Sequence, residues 1–226
     1  MKQQWHNLLF AHWPVSPDVL RPLVPQGLQL DIFDDKAWIG VVPFVIKGLR
    51  GRGLPPIPGT SAFPELNVRT YVTHEGKAGV WFFSLDAANR LAVRAARLAF
   101  HLPYYDAEMS ADVSGDTVKY RSSRTHKNAP PAEFVASYRP TAPPMNAQIG
   151  TLEFFLTERY YLYAADKRGR LYRSDIQHAP WSLQRAEAEI QVNTMTESHG
   201  IRLPDVPPLL HYSAFQDVKV WYVKRV

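Results

Sequence analysis

The sequence predicts a mostly β fold with one substantial helix, and three observations carry that reading. Nineteen prolines and 28 aromatic residues (11 Tyr, 11 Phe, 6 Trp) are spread over 226 positions. Runs of aromatic and β-branched residues lie between Gly, Pro and Asp turn signals, the composition of strands joined by shaped loops. A single segment shows sustained helical spacing.

Taken in order, Ser16-Pro17-Asp18 reads as the start of a helix, with a capping hydroxyl, a proline in the first turn and an early acid. Pro22 and Pro25 keep that helix short. Strands are predicted over 28–33 and 37–46, turning at Asp34-Asp35, with Pro43 marking an edge position or a bulge in the second. Residues 48–64 form a Gly/Pro-rich stretch predicted as a loop long enough for a functional role. Strands over 66–74 and 79–85 follow, joined by a hairpin turn at Glu75-Gly76-Lys77. The main helix is predicted over 86–101, capped by Asp86, with Leu91, Ala95 and Leu98 as its buried stripe and Pro103 as its stop. Arg90, Arg94 and Arg97 form a second stripe, read as a solvated face.

The remainder is again strand: 108–114, 117–123, 133–138, 160–165, 170–177 and 218–223, with a hairpin loop at Asp166-Lys167-Arg168-Gly169. Over 186–194, Ala186, Ala188, Ile190 and Val192 alternate with polar residues, so strand is favoured over helix. No repeat or flexible linker divides the chain, and one domain over 1–226 is expected.

Composition narrows the chemistry. With no cysteine, disulfides, thiol nucleophiles and thiolate metal sites are out. No pair of the eight histidines has helical ligand spacing, so no metal is expected. Gly59-Thr60-Ser61-Ala62-Phe63 fails the nucleophile-elbow pattern at its last position. Neither a phosphate-binding loop nor a dinucleotide fingerprint occurs, and no cofactor is expected. The net charge of +5 is dispersed, which argues against a nucleic-acid partner. Residues 1–14 do not read as a signal peptide and no stretch is long and apolar enough to span a membrane. A cytoplasmic protein without a membrane partner is the expectation.

One strand invites a site reading. Glu65, Asn67, Arg69 and Tyr71 point to one face, while Leu66, Val68 and Thr70 point to the other. Turned inward, the polar face is a ladder of acid, amide, guanidinium and phenol. Turned outward, it is an ordinary solvated strand side. The pattern alone favours the outward alternative.

Several stretches resemble the YqjF-like family of uncharacterised bacterial proteins. They are Leu8-Leu9-Phe10-Ala11-His12-Trp13-Pro14, Leu20-Arg21-Pro22-Leu23-Val24-Pro25 and Trp38-Ile39-Gly40-Val41-Val42-Pro43-Phe44. With them go Phe63-Pro64-Glu65-Leu66-Asn67-Val68-Arg69-Thr70-Tyr71, Val80-Trp81-Phe82-Phe83-Ser84-Leu85-Asp86, Glu158-Arg159-Tyr160 and His178-Ala179-Pro180-Trp181. More remotely, the order of elements is similar to the acetoacetate decarboxylases. That resemblance implies a twisted antiparallel β-barrel with one main helix, a short N-terminal helix and an internal small-molecule pocket, which would turn the Glu65 face inward. Glu65 matches the superfamily's strand glutamate. Where those decarboxylases carry a pair of lysines after the helix, this chain reads His101-Leu102-Pro103-Tyr104-Tyr105. A phenol cannot form an imine, so Schiff-base decarboxylation is not expected at this site.

The implied roles follow residue by residue. Arg69 would hold an anionic group and Tyr104 would donate a hydrogen bond. His12, Trp13, Trp81 and Tyr105 would line the wall. The expected function is binding of a small organic acid or carbonyl compound. Two alternatives stand beside it: a non-covalent enzyme with Glu65 as acid or base and Tyr104 polarising a carbonyl, and a structural or interaction protein whose pocket is filled by its own side chains. A homo-oligomer is left open.

Overall fold

A computed structural model describes residues 1–51, 53, 55 and 62–226. Much of the Gly/Pro-rich stretch predicted as a functional loop, and the serine of the failed elbow, lie outside the described residues. Both ends of that stretch are strand rather than loop, since β3 runs Ala37–Arg50 and β4 runs Phe63–His74.

The chain opens on β1 (Lys2–Val15), a strand that the mixed residues at its start conceal from sequence pattern. It lies between β3 and β12 (Leu209–Val220), antiparallel to both. The ladder to β3 shifts register between His6 and Ala11, where Asn7 takes a left-handed conformation. Pro43 falls opposite this irregularity, so the N–H that proline lacks is not required by the β1 ladder there. Two tyrosines clamp the bulge: Tyr138 donates to the Asn7 carbonyl and Tyr212 to its side chain, each at 2.8 Å.

The first helix, α1 (Pro17–Leu20), begins at Ser16, whose hydroxyl accepts the Asp18 N–H. Strand β2 is only Gln29–Leu30, shorter than predicted: two residues pair with β4, and the Asp31 N–H adds one bond to the Tyr71 carbonyl at 2.9 Å before the chain turns between Phe33 and Lys36. Strands β4 and β5 (Lys77–Ala87) form the expected hairpin, with Glu75 and Gly76 both at positive φ, the twist that a two-residue turn needs.

The main helix departs from expectation. It runs Arg90–Phe100 (α2), and Asn89, not Asp86, caps it by accepting the N–H groups of Leu91 and Ala92. Asp86 lies within β5, buried. Leu91 and Leu98 are 63% and 82% exposed. Ala95 is exposed too, and the inward face is Val93, Ala96 and Phe100. The predicted stripe fails because the helix presents only one narrow side to the sheet.

The strands β6 (Tyr104–Ser114), β7 (Thr117–Arg124) and β8 (Glu133–Pro140) form a meander. A short helix α3 (Leu152–Thr157), unforeseen in the sequence, precedes β9 (Tyr161–Ala165) and β10 (Leu171–Gln177). Strand β11 (Gln184–Asn193) confirms the alternation read over 186–194, and β13 is the pair Lys224–Arg225.

Pairing closes the sheet on itself twice. One circuit runs β5–β6–β7–β8–β11–β12–β1–β3–β4 and back to β5; the other runs β5–β9–β10–β12–β1–β3–β4 and back to β5. The ladders are antiparallel except β5–β6 and β5–β9, which are parallel, so the sheet is mixed rather than wholly antiparallel. The shared wall of β12, β1, β3, β4 and β5 sends alternate side chains to two interiors. Leu9, Ala11, Ile39, Val41, Leu66 and Val68 join Tyr120, Phe134 and Tyr138 in one core. Leu8, Phe10, Val42 and Phe44 face the other way, towards Leu162 and Ile176 of β9 and β10.

Candidate ligand-binding cavity

The second interior is not filled. A cavity of about 80 Å³ lies there, walled by Leu8, Val42 and Phe44 from β1 and β3, Val80, Phe82 and Leu85 from β5, and Ala96 and Phe100 from α2. At roughly 10–15 Å³ for each water centre, it has room for about five to eight waters, or a ligand with about as many heavy atoms. Strand alternation delivers Glu65, Asn67 and Arg69 of β4 to this wall, and Tyr104 enters from the first residue of β6. The polar face of the ladder therefore points inward, the alternative that pattern alone disfavoured.

Glu65 is buried among apolar residues, and its side chain is met by the Tyr104 hydroxyl, which donates to Oε2 at 3.1 Å. Burial pushes the Glu65 carboxyl up to about 8, against the smaller downward pull of Tyr104, with Asp86 adding to the rise. Glu65 is thus a neutral acid at pH 7, and burial likewise holds the Tyr104 phenol well above its ordinary range. Behind Glu65, Asp86 meets Arg124 of β7 by two contacts of 2.6 and 2.8 Å. Burial pushes the Asp86 carboxyl up and these contacts pull it back.

Arg69 has no such counterpart. Its guanidinium lies 5.4 Å from the Phe10 ring centre and 5.7 Å from that of Tyr71. Nη2 donates to the Leu156 carbonyl at 3.4 Å, and buried Nε has no hydrogen-bond partner. No carboxylate lies within ion-pair distance of it among the described residues. Glu65, four residues along the strand, is roughly 13 Å away along the backbone and is engaged with Tyr104 instead. The indole N–H groups of Trp5 and Trp181 and the Asn67 amide oxygen are also buried, unpartnered and on the cavity wall. Gly40 makes room for this arrangement, since a Cβ there would stand 3.0 Å from the His12 ring and 3.5 Å from Arg69 Cγ.

The remaining predicted site residues lie elsewhere. His12 is on the same side as Arg69 but beyond the cavity, its Nε2 2.6 Å from the Tyr71 hydroxyl; burial and the Arg69 charge hold it well below the usual imidazole range. Trp13 packs in the filled core, one residue out of phase with His12. Trp81 points away from the wall that its neighbours Val80 and Phe82 line, towards an open outer cleft. Tyr105 lies on the side opposite Tyr104, its ring 4.2 Å from the Arg124 guanidinium. For Trp13, Trp81 and Tyr105, period-two alternation separates them from the neighbours that face the cavity side.

Several polar side chains on the wall carry no signal of their own in the sequence pattern, among them Arg159, His178 and Trp181. Their segments, 158–160 and 178–181, do belong to the stretches that carry the family resemblance. Arg159 is balanced by Asp31 at 2.5 Å. Glu158 accepts the Trp181 backbone N–H at 2.9 Å and the Tyr160 hydroxyl, fixing the segment that brings Trp181 to the wall. Among the described residues no lysine lines the cavity, and Lys77 and Lys119 lie in β5 and β7 away from it.

The sequence profile of the DUF2071 family, described as an uncharacterized conserved protein, matches residues 2–217. The uncharacterized protein YqjF of Bacillus subtilis (strain 168) is 53% identical over 225 residues, which cover 100% of this chain and 92% of YqjF. Among solved structures, the enduracididine biosynthesis enzyme MppR, complexed with the condensation product of pyruvate and imidazole 4-carboxaldehyde, superposes with a TM-score of 0.70 at 12% identity, covering 100% of this chain and 89% of MppR. Acetoacetate decarboxylase from Legionella pneumophila gives 0.67 at 12% identity over 100% and 87% of the two chains. An acetoacetate decarboxylase-like enzyme from Sphingomonas wittichii RW1 gives 0.66 at 13% identity over 100% and 92%. At these identities the likeness is one of fold.

Proposed function

We propose that this chain, which belongs to the DUF2071 family of uncharacterized conserved proteins, binds a small organic carboxylate in the cavity between β4, β5 and β10, with Arg69 as the anion's partner. One observation carries the reading: a buried guanidinium on a cavity wall with no carboxylate in reach among the described residues. A buried unpaired charge is expensive, and a bound anion is the economical remedy. The fold is shared with a protein whose structure is described as complexed with pyruvate, which supports the ligand class by analogy only.

The chemistry available is that of Glu65 and Tyr104. With no lysine on the wall, imine formation is not part of the proposal. A second reading, a non-covalent acid–base enzyme, is favoured by one specific observation. A carboxyl poised at about 8 can give up and recover a proton near neutral pH, beside a phenol that can polarise a carbonyl.

Thermal melts of the wild type and Arg69→Ala against acetate, propionate, butyrate and pyruvate test the binding function. The expected result is a concentration-dependent rise in melting temperature for the wild type alone. If no carboxylate raises the wild-type transition at millimolar concentration, the proposal fails. The enzymatic reading is tested by solvent deuterium exchange next to the carbonyl of a bound oxo acid, followed by NMR. Exchange lost in Glu65→Gln with binding retained supports it, whereas equal exchange in both proteins sinks it.

A further inference from the structure

The wall residues define which carboxylate fits, and this step rests on the carboxylate reading above. Of the charged side chains on the wall, Arg159 is already matched by Asp31 at 2.5 Å. Glu65 faces only a phenol and apolar neighbours, and its raised pKa keeps it uncharged at neutral pH. Arg69 is left as the single uncompensated side-chain charge among them. Most of the remaining surface is apolar, with Leu8, Val42, Phe44, Phe82 and Ile176 beside the uncharged Gln3 and Thr157, and a second carboxylate against it would lose its water and gain no counter-charge.

The head of the ligand is fixed by more than Arg69. The Trp181 ring packs edge-on to Phe10 at 4.9 Å, and Phe10 also lies beneath the Arg69 guanidinium, so the two residues flank one ring. Trp181 brings a buried N–H with no acceptor among the described residues, and Asn67, two residues before Arg69 on the same strand face, brings an amide oxygen without a donor among them. Indole and guanidinium are the donors that a carboxylate's lone pairs need, whereas the Asn67 oxygen is an acceptor that calls for a donor elsewhere on the ligand or a water.

We infer that the cavity selects singly charged carboxylates with a short apolar body, that Trp181 helps Arg69 hold the carboxylate, and that dicarboxylates and uncharged analogues of the same size are rejected.

The test is a matched series titrated calorimetrically into the wild type at pH 6.5: butyrate, succinate and butyramide. Butyrate is expected to bind at least about tenfold more tightly than either of the others, the scale of a hydrogen bond to a charged group. Trp181→Phe keeps the ring and removes the N–H, and should weaken butyrate about tenfold while the empty protein melts as the wild type does. Succinate binding as tightly as butyrate would overturn the charge selection while leaving carboxylate binding intact. Butyrate affinity unchanged in a folded Trp181→Phe protein would overturn the role given to the indole. Failure of all three compounds, and of acetate and pyruvate, would instead bring down the carboxylate reading itself. The series on the wild type decides the selectivity even if the Trp181 variant does not fold.

Discussion

The two interiors on either side of the shared five-strand wall are built from the same strands and treat polar groups in opposite ways. On the filled side the buried ionic and phenolic groups are matched, while two small hydroxyls, Ser84 and Ser122, lack a partner among the described residues. Tyr120 donates to the backbone carbonyls of Phe44 and Glu65, Tyr138 to that of Asn7, and Arg124 grips Asp86. On the cavity side Arg69 Nε, Asn67 Oδ1 and the Trp5 and Trp181 indoles have no partner among the described residues, and Glu65 is held as a neutral acid. A side built for stability matches its charges and phenols internally; a side that leaves a guanidinium, an amide and two indoles unmatched around one space is arranged for something brought from outside. The same strand, β4, carries both: Leu66 and Val68 to one, Asn67 and Arg69 to the other.

If the comparison is right, damage on the two sides has different consequences. The largest loss should follow Arg124→Ala, which leaves the Asp86 carboxylate buried without its partner; about 3–5 kcal/mol should be lost, read from the urea midpoint at an unchanged slope. A loss below about 1 kcal/mol would mean that the pair is not the anchor of the filled side.

The next effect is one of pH. Because the folded-state pKa of Glu65 is raised to about 8 from a value of 4.5, the folded protein holds a proton that the unfolded chain releases. Stability therefore falls as pH rises from about 4.5 to about 8 and levels off above. Buried Asp86, raised in the same sense, adds to the slope, while His12, His199 and His211, all lowered, oppose it below their ordinary value of 6.5. The window from pH 6.5 to 8.5 is thus the cleanest for Glu65, where about 2 kcal/mol should be lost by the wild type and not by Glu65→Gln. Parallel pH profiles for the two proteins would refute the neutral-acid assignment. Around Glu65 the facing groups are Tyr104, Tyr120, Asp86 and Arg124, so the same profile in Tyr104→Phe separates the phenol's share.

A smaller effect is expected for Tyr120→Phe. It removes one hydroxyl shared between two backbone carbonyls and should cost about 1–1.5 kcal/mol in the same urea experiment. Smallest of all is Arg69→Ala in the empty protein. Loss of a cation without a carboxylate partner offsets the lost packing, so the change should stay within about 1 kcal/mol. A loss of about 3–5 kcal/mol there would mean that Arg69 belongs with the matched groups, and the contrast between the two sides would collapse.

How far the sequence reveals this molecule depends on the range over which its signals act. Local chemistry reads correctly: the Ser16 cap, the Glu75-Gly76 turn, the Asp166–Gly169 loop with Gly169 at positive φ, and the alternation of β11. The face shared by Glu65, Asn67 and Arg69 is legible for the same reason, and the resemblance supplied its direction. What fails is local inference about distant packing. β1 hides because its bulge at Asn7 breaks the alternation that would have revealed it. The α2 stripe inverts because the leucines that look like its core sit on the side turned from the sheet. Arg159 and Trp181 reach the wall through the pairing of β9 and β10, about a hundred residues from β4, and no periodicity within a segment encodes that.

The position of β1 also governs the order in which the molecule can be made. It is synthesised early, yet one of its two ladders is with β12, in a register that joins Lys2 to Lys219. Until that distant segment leaves the ribosome, the long strand exposes one row of backbone amides and neither circuit can close. Closing such separated contacts late is slow, and unpaired strand edges at this stage invite pairing with other chains. The strand at the centre of the finished wall is therefore, until β12 arrives, an open edge of the nascent chain.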